Sequence, residues 1–236
     1  MRKLALLALS LCFAQFAGAV EISSYDVTVR VAEDGFGKGV ATVRLENAAP
    51  GPVAIPLGFT DVANVQLAAG PEGTTLSASP LNGHTLVGIT LPEGTPGAVE
   101  VGFTFSAAKL FGDGDEQKPL PRGNKLLRLT CLNSQPMPIA NYSARVVFPD
   151  GMRAHAIREA LPKLGKSEAG PRVQLSAVDS KPGARIHVDR LLQGQSASMQ
   201  IELVDDARSP GWLIAGLVLS VLYLVYFRDL VSPRAE

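Results

Sequence analysis

The stretch SYDVTVRVAEDG, Ser24 to Gly35, limits what this chain can fold into. Tyr25, Val27, Val29 and Val31 alternate with Asp26, Thr28 and Arg30. A period of two places one set on each face of a strand, whereas a helix would scatter these apolar residues around its circumference. A Gly- and Asp-bearing turn follows, and VATVRLEN then alternates again with Ala41, Val43 and Leu45 on one face. Short apolar runs continue through AVEVGFTFS, where Val99, Val101, Phe103 and Phe105 share a face. Gly, Pro, Asn and Asp punctuate these runs, as turns between strands require.

FGDGDEQKPLPRGN, residues 111–124, interrupts the pattern with polar residues, Gly and Pro. It reads as a linker or long loop. Strands resume in KLLRLTCL, YSARVVFP, RVQLSAV, ARIHVD and SASMQIELV, the last with Met199, Ile201 and Leu203 on one face. The stretch beginning at Met152 fits a strand or a short helix, with Pro162 as a helix stop. The expected fold is therefore all-β. It is an immunoglobulin- or fibronectin-III-like β-sandwich ectodomain in two modules, residues 20–110 and 125–205, with one C-terminal transmembrane helix. The Cys–Trp–Cys spacing of true immunoglobulin domains is absent. The strand–turn–strand opening resembles the start of many bacterial envelope domains over about 25 residues, a likeness tied to no single family.

Both ends read as targeting signals. Arg2 and Lys3 precede an apolar stretch from Leu4 to Phe16, and Ala17-Gly18-Ala19 offers the small residues a signal peptidase accepts. Residues 1–19 are expected to be a cleaved signal peptide, with Ala17 and Ala19 at the cleavage site. Lipoprotein processing at Cys12 would want a small residue before it, and Leu11 stands there. Residues 206–210 read as a juxtamembrane connector. The uncharged run 211–227 then reads as the membrane span, with Trp212, Tyr223, Tyr226 and Arg228 at its interfaces. Gly216 and Ser220 are spaced for packing against a partner helix. Residues 228–236 are expected to be a short cytoplasmic tail, too short to hold an output domain. This organisation implies one membrane contact and a single-pass place in a bacterial inner membrane. The ectodomain would then lie outside the cytoplasm, in the periplasm or cell envelope.

Composition narrows the chemistry. Net charge is zero, which gives nucleic acid no electrostatic footing. Residues 20–110 carry four Lys/Arg against nine Asp/Glu, and residues 111–210 carry fourteen against eleven, so the two halves have opposite signs. Cys131 has no second cysteine beyond the signal segment to pair with, and its apolar setting suits a small buried hydrophobe. LGKS at Leu164–Ser167 resembles the end of a phosphate-binding loop, but Ala160 stands where that loop needs Gly. DGDE at Asp113–Glu116 lacks the Glu at the twelfth position that a calcium loop needs. His84, His155 and His187 fall on separate elements. Asn141-Tyr142-Ser143 matches a glycosylation sequon, which matters only in a eukaryotic secretory pathway.

No catalytic residue, cofactor, metal or nucleotide site follows from these patterns. Arg153, Arg158, Lys163 and Lys166 form a basic stretch that could meet an anionic surface. The expected function is a non-enzymatic binding or assembly module with a protein partner in the envelope. The alternatives are a glycan- or ligand-binding sensory module working through a partner helix, and an accessory subunit or hydrolase with a dispersed active site.

Overall fold

Strands form where the period of two held, and their buried faces are the apolar sets. In β1 (Glu21–Val31), Tyr25, Val27, Val29 and Val31 are buried, and in β2 (Gly37–Glu46) Ala41, Val43 and Leu45 are. The chain continues through β3 (Gly51–Leu57), β4 (Asp61–Ala69), β5 (Thr75–Leu81), β6 (His84–Leu91) and β7 (Ala98–Ala108). Beyond these lie β8 (Phe111–Gly112), β9 (Lys125–Leu132), β10 (Ile139–Val147), β11 (Met152–Leu161), β12 (Gln174–Val178), β13 (Lys181–Leu191) and β14 (Ser196–Asp205). The computed structural model describes residues 20–81, 83–95, 97–112, 120, 121, 123–161, 173–205, 216–223, 226 and 227.

The described strands form three sheets. The largest has seven strands in the order β12-β13-β10-β1-β2-β7-β4. The second runs β11-β14-β9-β8 and the third β3-β6-β5. In the large sheet β1 pairs antiparallel with β2 but parallel with β10, from Ile22 opposite Ile139 to Arg30 opposite Val147. Strands on either side of residues 111–124, read from sequence as two modules, therefore share one sheet. They also share one hydrophobic core, in which Val43, Phe103, Ile55, Ile89, Ile186 and Ile201 belong to a single buried cluster. Gly58 closes β3 onto β9: a side chain there would overlap the Thr130 carbonyl, so only hydrogen fits.

The expected transmembrane helix over 211–227 is corrected. Among the described residues no helix is long and apolar enough to cross a membrane. Of the run 211–227 the described residues are 216–223, 226 and 227, all helical, and the eight consecutive ones amount to about 12 Å at ~1.5 Å per residue, against the ~30 Å hydrocarbon core. The fold class loses its transmembrane helix. The membrane contact, the single-pass place in an inner membrane and the periplasmic, cell-envelope setting inferred from it fall with it.

Candidate functional site

The outward side of β1 carries Asp26, Thr28 and Arg30, and that of β2 carries Lys38, Val40 and Thr42. Register sets them in rows across the large sheet. Thr28 lies opposite Val40, Val40 opposite Thr104 of β7, and Thr104 opposite Gln66 of β4. The row above holds Arg30, Lys38 and Ser106. Together with Phe36 and Asn64 these side chains line a cavity of about 500 Å³. Phe36 and Val40 remain 39% and 50% exposed within it, an apolar shelf set among polar groups.

One wall is shaped by a break in β4. The pairing of β4 with β7 shifts between Ala63 and Gln66, and Asn64 there adopts φ 54°. Asparagine tolerates that left-handed conformation because its short amide can bond locally. The Asn64 amide donates to Ser106 Oγ at 3.1 Å, and the Ser106 hydroxyl donates to the Ala63 carbonyl at 3.0 Å. The irregularity thus turns Asn64 onto the cavity wall, the usual effect of a bulge beside a site.

A turn supplies the opposite rim. Asp179 and Ser180 link β12 to β13, with φ of 50° and 64°. Positive φ at both residues defines a type I′ hairpin turn, which matches the twist of the flanking strands. It holds Asp179 against Arg30, with Nη2 to Oδ2 at 2.7 Å.

A second polar cluster lies on the four-stranded sheet. Glu202 is 1% exposed. Its carboxylate accepts from Arg158 Nε at 2.6 Å and from the Asn124 amide. Burial raises its pKa. The Asn124 and Arg158 hydrogen bonds, with the nearby Arg158 and His155 charges, outweigh burial and hold the carboxyl below its ordinary range. A carboxylate bound this way is a weaker base than usual, so the cluster acts as a structural clamp.

Several sequence candidates find places in these elements. Arg153 and Arg158 both lie on β11, where Arg158 is engaged by Glu202. Lys163, Lys166, Ala17, Ala19, Trp212 and Arg228 lie outside the described residues, as do LGKS and DGDE. Tyr223 and Tyr226 are exposed, and Ser220 Oγ donates to the Gly216 carbonyl within its own helix at 2.8 Å. His84 is buried near Ser134 Oγ at 3.3 Å, and His187 Nε2 lies 3.0 Å from Asp189. Among the described residues no group of three or more His, Cys, Asp or Glu is placed to hold a metal. Asn141 of the sequon gives its amide to the Ser23 carbonyl at 3.1 Å.

Cys131 is fully buried, and burial pushes its thiol up to about 12 against a hydrogen bond with Tyr142 that pulls the other way. Sequence reading overlooked the cavity wall and the Glu202 clamp. The outward residues of β1 were legible as a polar face, but nothing in the sequence placed β4, β7 and the β12–β13 turn beside them.

No family model matches the chain, and no curated protein matches it in sequence. Among solved structures it is similar to native leukotriene A4 hydrolase from Saccharomyces cerevisiae, with 10% identity and a TM-score of 0.40 over 77% of this chain and 29% of that one. It is also similar to an M1 zinc metallopeptidase from Deinococcus radiodurans, with 16% identity and a TM-score of 0.33 over 71% and 42%. The chain spans less than half the length of either. Likeness at this level fixes no activity.

Proposed function

We propose that this chain is a binding module whose contact surface is the outward face of the seven-stranded sheet, and that it contributes recognition rather than a reaction. The observation carrying this reading is the cavity of about 500 Å³ in which exposed Phe36 and Val40 sit among Thr28, Asn64, Gln66, Thr104 and Ser106. An apolar shelf with a few convergent polar groups is the usual make-up of a recognition site. Covering the shelf removes apolar surface from water, and the hydroxyls and amides fix the orientation of what covers it.

The test uses the full chain as bait in a cell extract, beside a Phe36→Ser/Val40→Asp variant that keeps the wild-type circular dichroism. Specific partners are expected on the wild type and lost from the variant. A wild-type bait that returns alone, or a variant that retains the same partners, would overturn the proposal.

A further inference from the structure

We infer that the same face takes an acidic peptide segment in extended form, its carboxylates held by a diagonal of four cations: Arg185, Arg145, Arg30 and Lys38. This rests on the reading of that face as a binding surface and names what it binds.

The cations come from four neighbouring strands. Arg145 of β10 lies directly opposite Arg185 of β13, and Arg30 of β1 directly opposite Lys38 of β2. Arg145 is also opposite Thr28, two residues before Arg30 on the same side of β1. Like charges facing each other across paired strands repel, and a sheet that places two such pairs side by side holds an excess of positive charge.

The chain compensates only part of that excess. Asp179 takes Arg30 at 2.7 Å, and Asp26 lies 3.7 Å from Arg145. Both are solvent-exposed pairs, which hold their partners weakly. Arg185 Nε donates to Ser143 Oγ at 3.1 Å. Among the described residues no carboxylate pairs with Arg185 or Lys38. Two cations are thus left for an incoming anion, and two more are held only loosely.

The spacing favours a peptide. Neighbouring strands stand about 4.8 Å apart and alternate residues about 6.7 Å apart, so the diagonal spans roughly 16 Å. Five extended residues cover that length, and three acidic side chains at alternate positions, about 6.7 Å apart, fall within reach of cations spaced at roughly 4.8 and 8 Å. Arginine forks suit carboxylates in paired contacts. Phe36 and Val40, at the Lys38 end, offer an apolar residue of the same segment a resting place. A sugar polymer would need broader aromatic platforms than Phe36 alone provides.

The experiment is fluorescence anisotropy on the full chain with a labelled peptide, Glu-Ser-Glu-Ser-Glu-Ser-Leu, whose three Glu and terminal Leu share one face when extended, and its Gln-for-Glu counterpart. The Glu peptide is expected to bind at least tenfold more tightly, and to weaken as salt rises. Arg145→Gln/Arg185→Gln and Lys38→Gln should each lose tenfold or more, while Lys109→Gln, whose partner is Asp61, should bind as the wild type does. Arg185→Gln should keep its Tm, since it relieves a like-charge pair, and a fall would overturn the view of that pair as uncompensated. Equal binding of the two peptides would overturn the inference. So would tighter binding of heparin or single-stranded DNA, or loss of binding in Arg153→Gln alone. If partner capture depends on Phe36 and Val40 while the Glu peptide does not bind, only the acidic-peptide chemistry fails. If neither is seen, the binding face itself fails.

Discussion

At the scale of single residues, Glu202 shows how a buried charge is tolerated. Its carboxylate keeps its charge because Arg158 and Asn124 replace the water it has lost. Arg158→Ala leaves that charge buried and unpaired, and is expected to cost on the order of 2–3 kcal/mol in chemical denaturation. The sign of the pH effect follows from a folded-state pKa below the ordinary value of 4.5. The stabilisation is complete above that value and is lost as pH falls through the folded pKa. Stability of the wild type should therefore decline more steeply than that of Glu202→Gln below about pH 4.5, measured as urea midpoints against pH. Equal slopes would show that Glu202 does not carry this linkage. Neither partner was legible in the sequence, because Asn124, Arg158 and Glu202 meet only through strand pairing across the four-stranded sheet.

At the scale of elements, the β12–β13 turn and strand β11 show where local pattern stops being informative. Asp179-Ser180 contains no glycine, so it carries no hairpin signature of the Asn-Gly or Asp-Gly kind, yet both residues have positive φ. Ser180 bears the steric cost of that conformation. Ser180→Gly is expected to raise stability by about 0.5–1 kcal/mol, the relief of strain exceeding the added freedom of the unfolded chain. A lower Tm in the variant would show that the serine contributes more than it costs. In β11 the register shifts between Ala154 and Ala156 and again between Ile157 and Glu159. Two irregularities in one strand break the period of two, and this is why the sequence fitted a short helix there as well as a strand. The pairings of β1 with β2, β2 with β7 and β14 with β9 stay regular or nearly so, the shifts in the β4–β7 and β11–β14 pairs fall in β4 and β11, and the buried faces of β1, β2, β7 and β14 could be read directly.

At the scale of the whole molecule, the parallel pairing of β1 with β10 joins the first described strand to one more than a hundred residues later. The seven-stranded sheet cannot be completed by either half alone. A chain ending at residue 112 would leave the β10-facing edge of β1 unpaired, with Tyr25 deprived of its ring contact to Tyr142 at 5.5 Å. Such a fragment is expected to aggregate or remain unfolded, since open apolar edges invite pairing with other chains. The full chain should unfold in one transition, with far-ultraviolet dichroism and tyrosine fluorescence coincident. Two separated transitions, or a fragment 20–112 that folds by itself, would show that the halves are independent modules. Loop closure over this distance also predicts slow folding relative to a chain of local hairpins.

The sequence by itself determined which residues of most strands face inward, because side-chain alternation is a local property of an extended backbone. It determined that β1 presents a polar outward face, and that Cys131 suits an apolar interior. Only the tertiary structure decided that strands from both halves share one sheet, that Arg145 stands opposite Arg185 and Arg30 opposite Lys38, and that Asp179 reaches Arg30. The physical reason is the same in each case. Strand pairing is non-local, and a period of two says which face a residue takes but not which neighbour it meets there.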